Sequence, residues 1–194
     1  DFLFDYLNND LEGPLGSLPR KLESDRIFLT KDISINKNFK NRSSLVRDMV
    51  RQVMPQNRVL CLNIHRNFEK AKEIFPEAKY VFLNRDPRDV ARSSIGMGWA
   101  GSVYFGVDHW INTQNSWQTL KRSLTSEQYV ELFYENLITE TEATLTDMCN
   151  FAGLDYSGRM LSYVDNSTYG LPDPGLVNQW KRKLSKAEIN LVTS

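Results

Sequence analysis

The chain has 194 residues, 41% of them hydrophobic, enough for one compact domain with a core of its own. Its 24 basic and 24 acidic residues cancel, so nothing global favours nucleic acid or an anionic membrane, and any anion site has to be local. No apolar run approaches the roughly 18 residues of a membrane span, and no Cys/His cluster has zinc spacing, so neither a membrane span nor a metal is expected.

Taken in order, "DFLFDYLNN" at the start reads as a helix without its N-cap. A short apolar run, Arg26 to Thr30 ("RIFLT"), follows. Leu45, Val46, Met49, Val50 and Val53 then recur at helical spacing. The run Arg58 to Ile64 ("RVLCLNI") precedes a second helical stripe, Phe68, Ala71, Ile74 and Phe75. Next comes Tyr80 to Asn84 ("YVFLN"). Trp110, Trp117, Leu120 and Leu124 mark a longer helix, with both tryptophans expected in the core. The run Tyr129 to Tyr134 ("YVELFY") is followed by Leu145, Met148, Cys149 and Ala152, a helix stopped by Gly153. Near the end, Ser185-Lys186-Ala187-Glu188 is a capping box that starts a helix.

The four runs are nearly continuously apolar, as strands buried on both faces are. Their alternation with helices predicts an α/β domain with a mainly parallel central sheet flanked by helices. Cys61, in the second run, and Cys149 are expected as reduced core residues. Such sheets bind ligands beyond the carboxyl ends of their strands, so the residues after each run are the ones to inspect.

After Tyr80–Asn84 comes Arg85-Asp86-Pro87-Arg88-Asp89. Asp86 fits an N-cap, and Pro87 the first helical position, where a missing N–H costs nothing. Arg85 then stands at a strand's carboxyl end, and Ser93 lies two turns into the following helix, leaning back toward its start. An arginine fork, a hydroxyl and helix N–H groups facing one point would make a phosphate site without a glycine-rich loop. The same residues also fit a capped surface helix with Arg85 paired to a carboxylate.

Here the sequence resembles the sulfotransferases that use 3′-phosphoadenosine 5′-phosphosulfate (PAPS). "RDPRDVARS" is similar to that family's 3′-phosphate segment, in which an Arg ends a central strand and a Ser lies eight residues on; Arg85 and Ser93 match. "FYENL" resembles its Tyr-Glu-Asp-Leu segment, whose tyrosine lies near the adenine; Tyr134 is the match. "FAGL" at Phe151–Leu154 fits the helix end that follows. "PGLVNQWKRKLS" resembles the late Gly-to-Trp segment, with Gly175 and Trp180 as its landmarks and some likeness to the tyrosylprotein branch. Many members place two basic residues before that glycine to grip the 3′-phosphate. Here Asp173 and Pro174 stand there, leaving Lys181 or Arg182 to supply the grip.

The resemblance implies a P-loop NTPase-like sulfotransferase fold, with PAPS as donor, its desulfated form 3′-phosphoadenosine 5′-phosphate (PAP) as product, and no metal. It implies cofactor contacts at Arg85, Ser93, Tyr134, Gly175, Trp180 and Lys181. The acceptor would be a small molecule, a carbohydrate or a peptide, with no nucleic-acid partner. The location implied is cytoplasmic, or a secretory lumen if a signal anchor precedes residue 1. The family's Ser-Gly-Thr-Thr loop around the 5′-phosphosulfate is missing. A helix like "DFLFDYL" normally follows that loop, so residues 1–194 are expected to be a single sulfotransferase domain without this loop and without the extreme C-terminus.

Sulfuryl transfer needs a base for the acceptor's proton and a cation for the departing bridging oxygen. The cytosolic pattern puts the base near Asn63, which cannot act as one. His65, two residues on in "LNIHRNF", is the candidate base, against a histidine that merely satisfies a loop. Lys31, in "FLTKDIS", is the candidate cation, with Asp32 beside it. His109 fits a helix start better than an acceptor pocket. "GMGWAGSVYFG" (Gly96 to Gly106) reads as a flexible segment beside the acceptor site. Two other functions stay open: a degenerate member that binds nucleotide without transfer, and a nucleotide-dependent kinase, for which no Gly-Lys-Ser/Thr loop is present.

Overall fold

The computed structural model describes residues 40–53, 59–65, 68–166 and 170–193. It divides into two compact units, Asp1–Pro76 and Glu77–Ser194.

In the first unit, helix α1 (Arg42–Val53) and helix α2 (Phe68–Ile74) follow the two predicted stripes. Asn41 opens α1: its side-chain oxygen accepts from the Ser44 amide at 2.9 Å, so a first-turn donor is satisfied. Ser43 Oγ donates to Glu73 Oε1 at 3.2 Å and Arg47 Nη1 to the Ile74 carbonyl at 3.1 Å, which joins the helices. Leu45 and Phe68 are buried.

The expected strand at Arg58–Ile64 is not found among the described residues. Val59 to His65 carry no regular structure and are exposed, Cys61 with them. A strand exists only through a ladder partner, and no described strand pairs with this run. The expectation of Cys61 as a core residue is therefore corrected. Cys149 is buried as expected, 3.7 Å from Met160 Sδ. The run Arg26–Thr30 lies outside the described residues.

The second unit holds the sheet. Strands β1 (Tyr80–Asn84) and β2 (Tyr129–Phe133) pair in parallel, from Tyr80 opposite Tyr129 to Asn84 opposite Phe133. Helices α3 (Pro87–Gly96) and α4 (Val103–Lys121) connect them, the long crossover that parallel strands need. Helices α5 (Tyr134–Thr139) and α6 (Thr141–Ala152) follow β2. Then come 3₁₀ turns at Gly158–Asn166 and Pro174–Leu176, helix α7 (Trp180–Lys183) and helix α8 (Lys186–Thr193).

Helix α4 covers one sheet face. Trp117 stacks flat on Phe82, with ring centroids 4.6 Å apart, and meets Tyr129 edge-on. Its indole N–H donates to Glu131 Oε1 at 2.6 Å, which satisfies the one polar atom of a buried tryptophan. The other face was expected to be buried too, but Val81 and Leu83 are 43% and 47% exposed among the described residues.

Helices α3 and α4 touch backbone to backbone. Gly106 of α4 packs on Ala91 of α3 so tightly that a Cβ there would sit 2.6 Å from the Ala91 Cα. The stretch Gly96–Gly106 is therefore not one flexible segment: it turns at 97–101, and α4 has begun by Val103, capped by Ser102. Ala91, Val103 and Leu184 form a core with Ile95, Val107, Trp180, Ile189 and Val192, joining α3, α4 and α8. The capping box at α8 is formed: the Ser185 amide donates to Glu188 Oε2 at 2.8 Å, and the Glu188 amide to Ser185 Oγ at 3.3 Å. Gly153 ends α6 at φ +75°, a backbone state that favours glycine. Among the described residues no helix is long and apolar enough to cross a membrane.

Candidate functional site

The parallel register brings the carboxyl ends of β1 and β2 together, so Arg85 and Tyr134, each one residue past its strand, become neighbours. The Arg85 guanidinium lies over the Tyr134 ring, 4.1 Å from its centroid. Two contacts fix the backbone here. The Asp86 amide donates to Glu135 Oε1 at 3.0 Å, and Trp110 Nε1 donates to the Arg85 carbonyl at 3.0 Å. Gln114 of α4 reaches Asn84 Oδ1 at 2.8 Å, and Asn84 Oδ1 also accepts from the Arg85 amide at 2.9 Å. Both strand ends and α4 thus hold Arg85's main chain from three sides.

The Arg85 side chain is lightly engaged. Nη2 donates to the Leu176 carbonyl at 2.8 Å and stands 3.9 Å from Asp89 Oδ2, beyond hydrogen-bond reach. Nε is buried and has no hydrogen-bond partner among the described residues. The carboxylate pairing weighed for Arg85 is therefore present only in loose form.

Asp86 is the N-cap of α3 with Pro87 in the first turn, as the sequence predicts. Its effect corrects one expectation, that α3 offers N–H groups to an anion. Pro87 has none, the Arg88 amide donates to Asp86 Oδ1 at 2.8 Å, and the Asp89 and Val90 amides both donate to the Asp86 carbonyl at 3.0 Å. The side chain of Arg88 closes on Asp86 as well, Nε at 3.0 Å and Nη2 at 2.6 Å. Burial pushes the Asp86 carboxyl up, but the hydrogen bonds from the Arg88 side chain and amide outweigh it and hold it below its ordinary value. The positive end of the helix is already occupied by the chain's own carboxylate.

Ser93 lies half-buried in the second turn of α3. Gly175 sits in the 3₁₀ turn that Asp173 caps, the Gly175 amide donating to Asp173 Oδ1 at 2.8 Å. Arg182 Nη2 donates to the Gly175 carbonyl at 2.5 Å, so Arg182 braces this turn. Trp180 belongs to the α3–α4–α8 core, with the Arg88 guanidinium 3.6 Å from its ring centroid and Lys181 Nζ 5.5 Å away on an exposed side chain. His109 is exposed inside α4, not at a helix start. His65 lies in the first unit, exposed in the stretch without regular structure, and Lys31 lies outside the described residues.

A mainly apolar groove of about 710 Å³ is lined by Tyr134 and Leu176, which contact Arg85, and by Leu137, Ile138, Leu145 and Leu161. No group of three potential metal ligands occurs among the described residues. Arg85 contacts two of the groove's lining residues, Tyr134 and Leu176, past the carboxyl ends of two parallel strands, which is where α/β sheets place ligands. The sequence missed Trp110, whose helical stripe reads as core although its N–H holds Arg85.

These features define an α/β protein with a parallel sheet flanked by helices. The sulfotransferase family model matches residues 27–158, more than half of the chain, and the chain belongs to that family. Two solved structures share the fold. The sulfotransferase domain of an olefin synthase from Synechococcus PCC 7002 is 21% identical with a TM-score of 0.53, covering 61% of this chain and 46% of its own. The sulfotransferase domain from the curacin biosynthetic pathway is 20% identical with a TM-score of 0.51, covering 58% of this chain and 50% of its own. The chain thus spans about half the length of the solved structures it matches. None of the curated proteins matches it.

Proposed function

We propose that the chain serves a PAPS-dependent sulfotransferase that transfers a sulfuryl group to a hydroxyl or amine of a small-molecule, carbohydrate or peptide acceptor. The observation that carries this reading is Arg85: a guanidinium at a parallel strand's end, over the Tyr134 ring, with a buried Nε that has no hydrogen-bond partner among the described residues. Buried donors normally have partners, so an unpaired arginine edge fits an anion. Arg85 would bind the 3′-phosphate and Ser93 would add a hydroxyl. Tyr134 and the apolar groove suit a flat base. Gly175 and Trp180 shape the turn that faces Arg85, and Lys181 lends charge nearby. When bound, PAPS supplies the activated sulfuryl group. His65 is assigned the base and Lys31 the cation. A degenerate relative that binds nucleotide without transfer is the second reading, kept open because no catalytic group is assigned beside Arg85 within the second unit.

Calorimetric titration with PAP, and with the same nucleotide lacking its 3′-phosphate, tests the assignment. The wild type should prefer PAP. Arg85→Ala should weaken PAP binding by about 10- to 150-fold, the scale of one charged hydrogen bond, and erase most of that preference. Ser93→Ala should cost less. A wild type without preference, or a variant that keeps it in full, overturns the reading.

A further inference from the structure

The Asp89 side chain is completely buried, with 0% exposure, yet among the described residues only one of its oxygens has a hydrogen-bond partner. Oδ1 accepts from the Trp180 amide at 2.8 Å, which ties the first residue of α7 to α3. Oδ2 has no hydrogen bond and faces Arg85 Nη2 at 3.9 Å. In the same guanidinium, Arg85 Nε is buried and has no hydrogen-bond partner among the described residues. Buried carboxylates are seldom left half-satisfied, because each lone oxygen has lost its water without replacement. The α3 cap does not need Asp89, since Asp86 provides it.

Asp89 touches both parts of the candidate anion site. Through Oδ2 it draws Nη2 of Arg85 inward, on the edge that also meets the Leu176 carbonyl. Through Oδ1 it anchors the segment that runs from the Gly175 turn to Trp180. At 3.9 Å it attracts the guanidinium without saturating it. We infer that Asp89 is a positioning residue for the phosphate site: its buried carboxylate orients Arg85 and fastens the Trp180 turn against it, so that selectivity for a 3′-phosphate depends on Asp89 although Asp89 does not touch the ligand. This rests on the assignment of Arg85 to the 3′-phosphate.

The experiment uses Asp89→Asn in the full chain, titrated with PAP and with the nucleotide lacking the 3′-phosphate. The amide oxygen still accepts from the Trp180 amide, but the NH₂ now meets Arg85 donor to donor. The preference for PAP should fall by about tenfold, while affinity for the nucleotide without the 3′-phosphate changes little. A purely structural role would weaken both nucleotides alike. In Arg85→Ala the further change Asp89→Asn should cost nothing more, because the effect runs through Arg85. Asp89→Glu, which keeps the charge, should restore part of the preference. Circular dichroism checks the fold of each variant. An Asp89→Asn protein with wild-type preference, or additive losses in the double variant, overturns the inference while leaving the Arg85 assignment standing. A wild type without preference overturns that assignment first. If neither variant folds, Asp89 belongs to the fold alone and the inference is overturned.

Discussion

An arginine offers five N–H donors in a rigid fork, and Arg85 commits one of them closely, to the Leu176 carbonyl. Its main chain, by contrast, is held by Trp110, and a neighbouring amide by Glu135. A pinned backbone with an under-used side chain is how a binding residue is pre-organised. His65 is a different case, an exposed side chain in a stretch without regular structure. Substituting it should cost little stability. If it is the base, His65→Ala lowers turnover by about 100-fold or more, while calorimetry shows PAP binding nearly intact. Near-normal turnover would remove it from the mechanism and shift attention to Lys31 or Asp32. That Arg85 and Tyr134 each follow a strand was legible, because an apolar run is a local pattern, and the parallel register then makes them neighbours. Trp110 was not legible, because its bond to Arg85 spans 25 residues and a helical stripe does not say which indole faces a strand end. The helix amides were misread for the opposite reason: Asp86 was recognised as a cap, and a good cap uses up the donors an anion would need.

Among the elements, α3 and α4 carry the site, and their contact at Gly106 and Ala91 sets how near Trp110 and Gln114 come to β1. Three glycines in "GMGWAGSVYFG" before Gly106 suggest a loop from propensity alone, yet Gly106 is glycine because a neighbouring helix occupies the place of a side chain. Tertiary packing overrode the local signal. Caps, by contrast, are settled within four residues, and both Asp86-Pro87 and Ser185–Glu188 were readable. Gly106→Ala sets two effects against each other. An alanine in the first turn of α4 gains at most about 1 kcal/mol of propensity. Overpacking against backbone atoms, which cannot swing aside, costs about 1–3 kcal/mol. The clash at 2.6 Å should win, with a net loss of roughly 1–2 kcal/mol in urea unfolding. Gly101→Ala, where an added Cβ meets nothing within 4 Å, is the control and should stay near wild type. Equal stability of the two variants would mean that the helices are not in backbone contact.

At the scale of the whole molecule, the alternation of apolar runs and helices made a parallel sheet legible, and β1 and β2 pair that way. It did not reveal that Val59–Ile64 carries no strand, since apolarity marks a segment able to join a sheet but not the partner it would need. The zero net charge leaves local pairs to set the response to acid. Glu131 is pushed up by burial but drawn further down by Lys121 and Trp117, and Asp86 is likewise held low by Arg88. Glu188 is lowered by its hydrogen bonds from Ser185. A carboxyl whose pKa is depressed in the folded state binds fewer protons there than in the unfolded chain. Its contribution to stability is complete above the unfolded value of about 4 and is lost as pH falls through the lower, folded one. The melting temperature should therefore vary little with these groups above about pH 6 and fall as pH drops below about 4. Asp86→Asn and Glu131→Gln should each lower stability at neutral pH and flatten the acid limb, because the titrating group is gone. Calorimetric melts from pH 7 to pH 3 provide the check, and an acid limb equally steep in both variants would place the acid sensitivity in carboxylates other than Asp86, which caps α3, and Glu131, which ties β2 to α4.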